Sequence, residues 1–287
     1  MRLLGAQFAA LVAETGYDVV EAPRYNTGGR GGAGGKTDAL DALRIAQAAV
    51  PLTDTQLRHP RDGQGERAAL AVLTTARDAM TTERAGKVQS LTALLRQWNL
   101  GIDARLPLTG QQIIAVSRWQ ERTETLAVAA ARCEAIRLAT RILALAAELK
   151  ANKAQIKTLV QTSPAAGLLA ITGIGPVTAA VILTVWSHPG RIHSEAAFAA
   201  IAGVNPIPAS SGNTTRHRLN RSGDRRLNQA LHMAAITRMR TDPETKKYVE
   251  KRRAQGRTDR EIRRCIKRYL ARKIYRHLNS ATTESTT

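Results

Sequence analysis

Apolar residues recur at three- and four-residue steps along ERAALAVLTTARDAMTTERAGKVQSLTALLRQW, which predicts a long helix over 66–100. After a loop at Gly101–Leu108, an Ala-rich stretch with Leu at helical spacing predicts a second long helix over Ser117–Thr162. Two antiparallel helices of this kind make a coiled-coil arm or interaction stalk, with an ordinary bundle layer as the alternative. Residues 1–50 have an α/β texture. A helix over Arg2–Thr15 leads through Gly16 to a short strand, Asp18–Ala22, and a Gly-rich loop, Tyr25–Gly35. A helix then opens at Lys36-Thr37-Asp38 and runs to about Val50, with Thr37 suited to the N-cap and Asp38 to the first-turn dipole. Downstream, Ala165–Trp186 is apolar enough to span a bilayer, but Gly173-Ile174-Gly175-Pro176 divides it into two short halves. Two buried helices joined by a tight turn are therefore expected, with no membrane partner. A short helix near Ser194–Ile201, a turn over Asn205–Gly212 and two or three basic helices complete the chain. The polar tail, Ser280–Thr287, is expected to be disordered.

The resulting domains are 1–62, 63–163 and 164–279, with 280–287 as a tail, and the fold class is mainly α with a small α/β N-terminal portion. Low aromatic content (3%) and abundant Ala favour helices packed through small residues over sandwiches or barrels. Cys133 and Cys265 have no Cys or His partner at metal-ligand spacing and read as reduced packing residues of a cytoplasmic protein.

Charge sharpens this picture. Between Arg216 and Arg276 there are 21 basic and 6 acidic residues, so this segment carries +15 of the formal +20. A field so concentrated points to a polyanion, with nucleic acid the first candidate. Basic pairs at Arg252-Arg253, Arg263-Arg264, Lys267-Arg268 and Arg272-Lys273 alternate with Ile262, Ile266, Tyr269, Leu270 and Ile274. The pattern is an amphipathic helix with one cationic and one apolar side.

Three further features can carry chemistry. Gly173 and Gly175 lie in a helix-hairpin-helix pattern, whose backbone N–H groups can hold a DNA phosphate without reading sequence; a ligand-free glycine turn is the alternative. Ser210-Ser211-Gly212 alone is a commonplace turn. It precedes Arg216, Arg218, Arg221, Arg225 and Arg226, however, and a serine held among guanidinium groups can attack a phosphodiester while they stabilise the developing charge. Asp38 and Asp41, at i and i+3, share one helix face and can ligate Mg²⁺, although for an isolated pair stabilisation of the helix dipole is the commoner explanation. With Arg264, Lys267 and Arg268 in the basic helix, these are the candidate site residues.

The order Lys-Thr-Asp-x-x-Asp-Ala, long helices, Thr-Gly-Ile-Gly-Pro, Phe198-Ala-x-x-Ala-Gly203-x-x-Pro206, Ser-Ser-Gly, Arg-x-x-Arg-x-Gly-Asp-Arg and a basic helix resembles the DEDD-type insertion-sequence transposases, serine recombinases guided by a bridge RNA. The resemblance covers nearly the whole chain. It implies a RuvC-like (RNase H-like) N-terminal domain, a coiled-coil arm and a helix-hairpin-helix-containing C-terminal domain. It also implies Mg²⁺ at Asp38 and Asp41, a nucleophile at Ser211 with Ser210 as fallback, DNA and a guide RNA as partners, a homo-oligomer (dimer or tetramer), and association with the bacterial nucleoid. The family's first Asp-bearing strand and its Glu-bearing strand have no counterpart ahead of Arg2–Thr15, so either a truncated copy or a start placed too far downstream is expected. Two readings follow: a recombinase that cuts and joins DNA, or an inactive remnant that only binds nucleic acid.

Overall fold

A computed structural model describes residues 2–21, 38–53, 56–61, 63–209 and 217–283. It is mainly helical and falls into two compact units: residues 69–162, and residues 1–68 together with 163–287.

In the first of these, helix α3 (Gly65–Gln97) and helix α5 (Leu126–Thr162) run antiparallel. The direction is fixed by polar rungs. Asn152 donates to the Leu73 carbonyl at 3.0 Å, Arg77 to the Leu149 carbonyl at 2.9 Å, and Arg141 to Glu83 at 2.8 Å. As the α3 number rises, its α5 partner's number falls by a similar amount. Helix α4 (Gly110–Ser117) packs on α5 and starts at a capping box, in which the Thr109 hydroxyl accepts from the Gln112 N–H and Gln112 reaches back to the Thr109 N–H. Ala131, Ala135 and Ala139 occupy one buried face of α5, and their small side chains let Leu91, Leu95, Ile113 and Val116 close over them.

The predicted helix over Ser117–Thr162 is interrupted, with residues 118–125 leaving helical conformation. Arg132 reaches back from α5, donates from Nε to Glu124 at 2.7 Å, and lies 5.0 Å above the Trp119 ring. This side-chain clamp holds the connection folded back on the helix. Cys133 is exposed on α5 rather than packed, a correction to its expected role, while Cys265 is half-buried.

The second unit contains helices α1 (Arg2–Glu14), α2 (Asp38–Ala49), α6 (Pro176–Trp186), α7 (Glu195–Ile201), α8 (Arg225–Thr241), α9 (Pro243–Ala254) and α10 (Asp259–Thr283). Its core is C-terminal. Helix α6 is buried on nearly every side and packs on α8, while α10 lies against α7, α8 and α9. The expected first half of the apolar hairpin is a short 3₁₀ segment, Ala166–Ala170, not an α-helix. Helix α10 runs on through Thr283, where a disordered tail was expected from Ser280.

The expected strand Asp18–Ala22 reduces, among the described residues, to one antiparallel bridge between Glu21 and Arg58. A strand needs a laterally paired neighbour, and only the segment at Arg58 supplies one here. Arg191 secures this segment, donating to the His59 carbonyl at 2.6 Å and to both Glu21 oxygens at 2.9 Å. Phe8, Leu11, Leu43 and Val50 stay largely exposed, so α1 and α2 add little core. Ala22 and the Gly-rich loop lie outside the described residues.

Candidate nucleic-acid interface

Two short strands, β1 (Ile207–Pro208) and β2 (His217–Arg218), pair antiparallel, with Ile207 opposite Arg218 and Pro208 opposite His217. In the chain they flank the segment that contains Ser210-Ser211-Gly212. Ser210, Ser211 and Arg216 themselves lie outside the described residues.

These flanking segments are anchored by backbone packing. Gly203 (φ +63°) and Gly223 (φ +103°) adopt left-handed conformations, and a Cβ on Gly223 would sit 2.5 Å from the Ile201 carbonyl oxygen. Only glycine permits both that backbone angle and that approach. The Asp224 N–H then donates to the same Ile201 carbonyl at 2.6 Å, and the Asp224 carboxylate caps α8 by accepting from the Leu227 N–H at 2.8 Å. Buried Asn220 donates to Asn205 Oδ1 at 2.6 Å and accepts from the Ser222 N–H at 2.8 Å. The segments on either side of residues 210–216 are therefore tied to α7 and α8 by these contacts.

Beside these segments is a cavity of about 860 Å³, walled by Gly203–Pro206 and His217–Asn220 on one side and by α9 and α10 on the other. Arg218, Arg252, Arg257, Arg264, Lys267 and Arg268 line it, against a single carboxylate, Glu261. That carboxylate accepts from the Thr258 N–H at 2.9 Å, capping the start of α10, and pairs with Arg257 of the cavity wall at 3.5 Å. Its pKa lies below the ordinary carboxylate range because of these Thr258 bonds, with Arg257 adding to the effect.

The predicted basic residues divide between surface and interior. Arg218, Arg221, Arg225 and Arg264 are exposed, and Arg226 and Arg268 are half-buried. Lys267 is buried, with 9% of its surface exposed, and its Nζ donates to Asn228 Oδ1 at 2.7 Å. Asn228 is itself oriented by donating to the Ala202 carbonyl at 2.7 Å. Burial alone lowers the pKa of the Lys267 amine. Nearby, the His232 pKa is also lowered, first by burial and then by Lys267 and Arg263. Tyr269, expected on the apolar side of α10, is exposed instead.

The two hairpin glycines have different surroundings. Gly173 (φ +89°) packs against α8, where a Cβ would lie 2.6 Å from the Ala234 carbonyl oxygen. Gly175 is the N-cap of α6, with no side-chain cap and nothing within 4 Å of the corresponding Cβ position. Asp38 and Asp41 occupy the first turn of α2, with Asp38 exposed and Asp41 3.8 Å from Arg44. Among the described residues no group of three or more His, Cys, Asp or Glu could hold a metal ion, and no helix is long and apolar enough to cross a membrane.

Comparison with known proteins finds two domain matches along the chain. Residues 165–250, which hold the hairpin, the ribbon and α8, match the domain described as Transposase IS116/IS110/IS902 family. Residues 4–100 match a second transposase domain, DEDD_Tnp_IS110. Together these matches support an insertion-sequence transposase of the IS110 type.

Individual relatives agree. The chain is 32% identical over 123 residues to the insertion element IS110 uncharacterized 43.6 kDa protein of Streptomyces coelicolor, covering 42% of this chain and 30% of that protein. It is 27% identical over 265 residues to the insertion element IS900 uncharacterized 42 kDa protein of Mycobacterium paratuberculosis, covering 77% and 66%. It is also 30% identical over 122 residues to the IS116 protein of Streptomyces clavuligerus, covering 42% and 30%. The chain thus spans two thirds or less of the length of these relatives.

Proposed function

We propose that this chain acts on DNA as an insertion-element transposase, cutting and joining strands through Ser211. The observation that carries this reading is the glycine-packed pair of segments flanking Ser210-Ser211-Gly212, beside a cavity lined by six cationic side chains. A nucleophile flanked by such segments, next to guanidinium groups, suits phosphoryl transfer, because the charge developing on phosphorus oxygens meets preorganised donors.

In the proposed step the Ser211 Oγ–P bond forms as one P–O ester bond of the strand breaks. The hydroxyl proton leaves the serine, and the released strand oxygen takes up a proton. A hydroxyl on the second strand then attacks the phosphoserine, which restores both the phosphodiester and the serine. One ester is exchanged for another, so no external energy source is needed. Ser210 is the alternative nucleophile.

The metal suits the chain as part of a larger set. Mg²⁺ is commonly held by one or two carboxylates plus substrate phosphates, and Asp38 and Asp41 share the first turn of α2. They would hold the ion once Arg44 moves aside, and Mg²⁺ would neutralise charge on a phosphoryl group. The uncapped start of α6 at Gly175 would contribute phosphate-backbone contacts of the helix-hairpin-helix kind, within a RuvC-like and coiled-coil architecture. Because joining requires two DNA partners, a dimer or tetramer assembled through the long helices, with a guide RNA, completes the proposal.

Ser211→Ala is expected to abolish a covalent protein–DNA adduct, visible on a denaturing gel, while DNA binding persists. An adduct that survives in the Ser210/Ser211 double alanine variant sinks the serine mechanism.

A further inference from the structure

We infer that the cavity beside the β1–β2 ribbon is a pocket for one phosphodiester of an unpaired DNA strand, with the ammonium of Lys267 at its floor as counter-charge. The choice of DNA rests on the transposase reading; the need for an anion rests on geometry alone. A buried charge is costly unless paired. Among the described residues the only hydrogen-bond partner of Lys267 is neutral Asn228, and no carboxylate pairs with it. Its ammonium has two more hydrogens to donate.

Two neighbouring arginines show the same deficit. Among the described residues, Arg252 Nε and Arg268 Nη1 are buried without a hydrogen-bond partner, and both residues line this cavity. Those two atoms are closed off from the cavity surface, but a wall of six cationic side chains, whose single carboxylate is already shared between Thr258 and Arg257, describes an anion site. The remaining lining selects the form of the anion. Val204, Pro206 and Leu219 offer apolar contact for a sugar or base. Lys267 is too buried to touch the outside of a duplex, whose phosphates stay on a broad cylinder, so a strand must leave its pairing to reach it.

The test uses the full chain and fluorescence anisotropy with two probes: an end-labelled single strand of about six thymidine nucleotides, and a short blunt duplex. Lys267→Met is compared with Lys273→Met, which removes the same charge from an exposed position on α10. Lys267→Met is expected to weaken single-strand binding about tenfold or more, with the duplex changed no more than by Lys273→Met. Equal effects of the two variants on the single strand would show only diffuse charge and overturn the pocket. Equal loss on both probes would overturn its selectivity for an unpaired strand.

If Lys267→Met fails to fold, Arg264→Gln on the exposed wall replaces it, with the same expected and overturning outcomes. A rise in melting temperature with inorganic pyrophosphate that disappears in Lys267→Met, alongside unchanged binding of the single strand, would refute the DNA assignment. The adduct assay on Ser211 is independent. Loss of the serine mechanism with Lys267-dependent strand binding intact would therefore be recognised as a failure of that mechanism and not of the pocket.

Discussion

Gly173 and Gly175 look equivalent in the sequence and differ in the structure. The first combines a left-handed backbone with a 2.6 Å approach to the Ala234 carbonyl, whereas the second sits at an ordinary φ of −96° in open space. Gly173→Ala is accordingly expected to cost about 2–4 kcal/mol of stability, from backbone strain and overpacking together. Gly175→Ala should stay within about 0.5 kcal/mol. Urea denaturation of the two variants checks this, and similar values for both would contradict the packing role of Gly173. Lys267 teaches a related lesson about legibility. Reading basic pairs along the chain put it with Arg268 on a cationic face. Its position three, four and seven residues before buried Leu270, Ala271 and Ile274 placed it on the apolar stripe, and that spacing was the available signal.

Among the elements, the long helices and the three basic helices were legible because their periodicity runs for many turns. The break at residues 118–125 was not, since no Pro or Gly marks it; in the fold Arg132 reaches back eight residues to Glu124 and lies over Trp119. The short strand failed for a similar reason: alternation in five residues cannot specify a lateral partner. The clamp has a consequence in acid. Its hydrogen bonds to Arg132 hold the Glu124 pKa below the ordinary carboxylate value. A carboxylate depressed in the folded state stabilises fully above its unfolded pKa, and that contribution is lost as pH falls through the folded value. Stability of the unit built on α3–α5 should therefore fall below about pH 4. Glu124→Gln, which leaves buried Arg132 without a charged partner, should be less stable at neutral pH and show a smaller acid loss. Urea midpoints measured from pH 7 downward test both statements, and parallel pH curves for the two proteins would refute them.

At the scale of the whole molecule, net charge pointed to a polyanion, and the order of short motifs resembled the insertion-sequence transposases that the domain matches support. Neither could reveal the cavity, because its walls come from segments about fifty residues apart, brought together by the packing of α10 on α7, α8 and α9. If about six phosphates are neutralised, affinity for DNA should fall with a log–log salt slope near −5. Titrations at several salt concentrations measure that slope, and a value near zero would remove electrostatics as the source of binding. The antiparallel rungs between α3 and α5 carry a consequence for variation in length. Each rung pairs a position counted forward from one end of the hairpin with one counted backward from the other. Two turns deleted from α3 alone would slide Glu83 off Arg141, or Leu73 off Asn152, however well the shortened helix formed. The two helices can therefore lengthen or shorten only by matched steps, so natural variants of this hairpin should gain and lose residues in pairs.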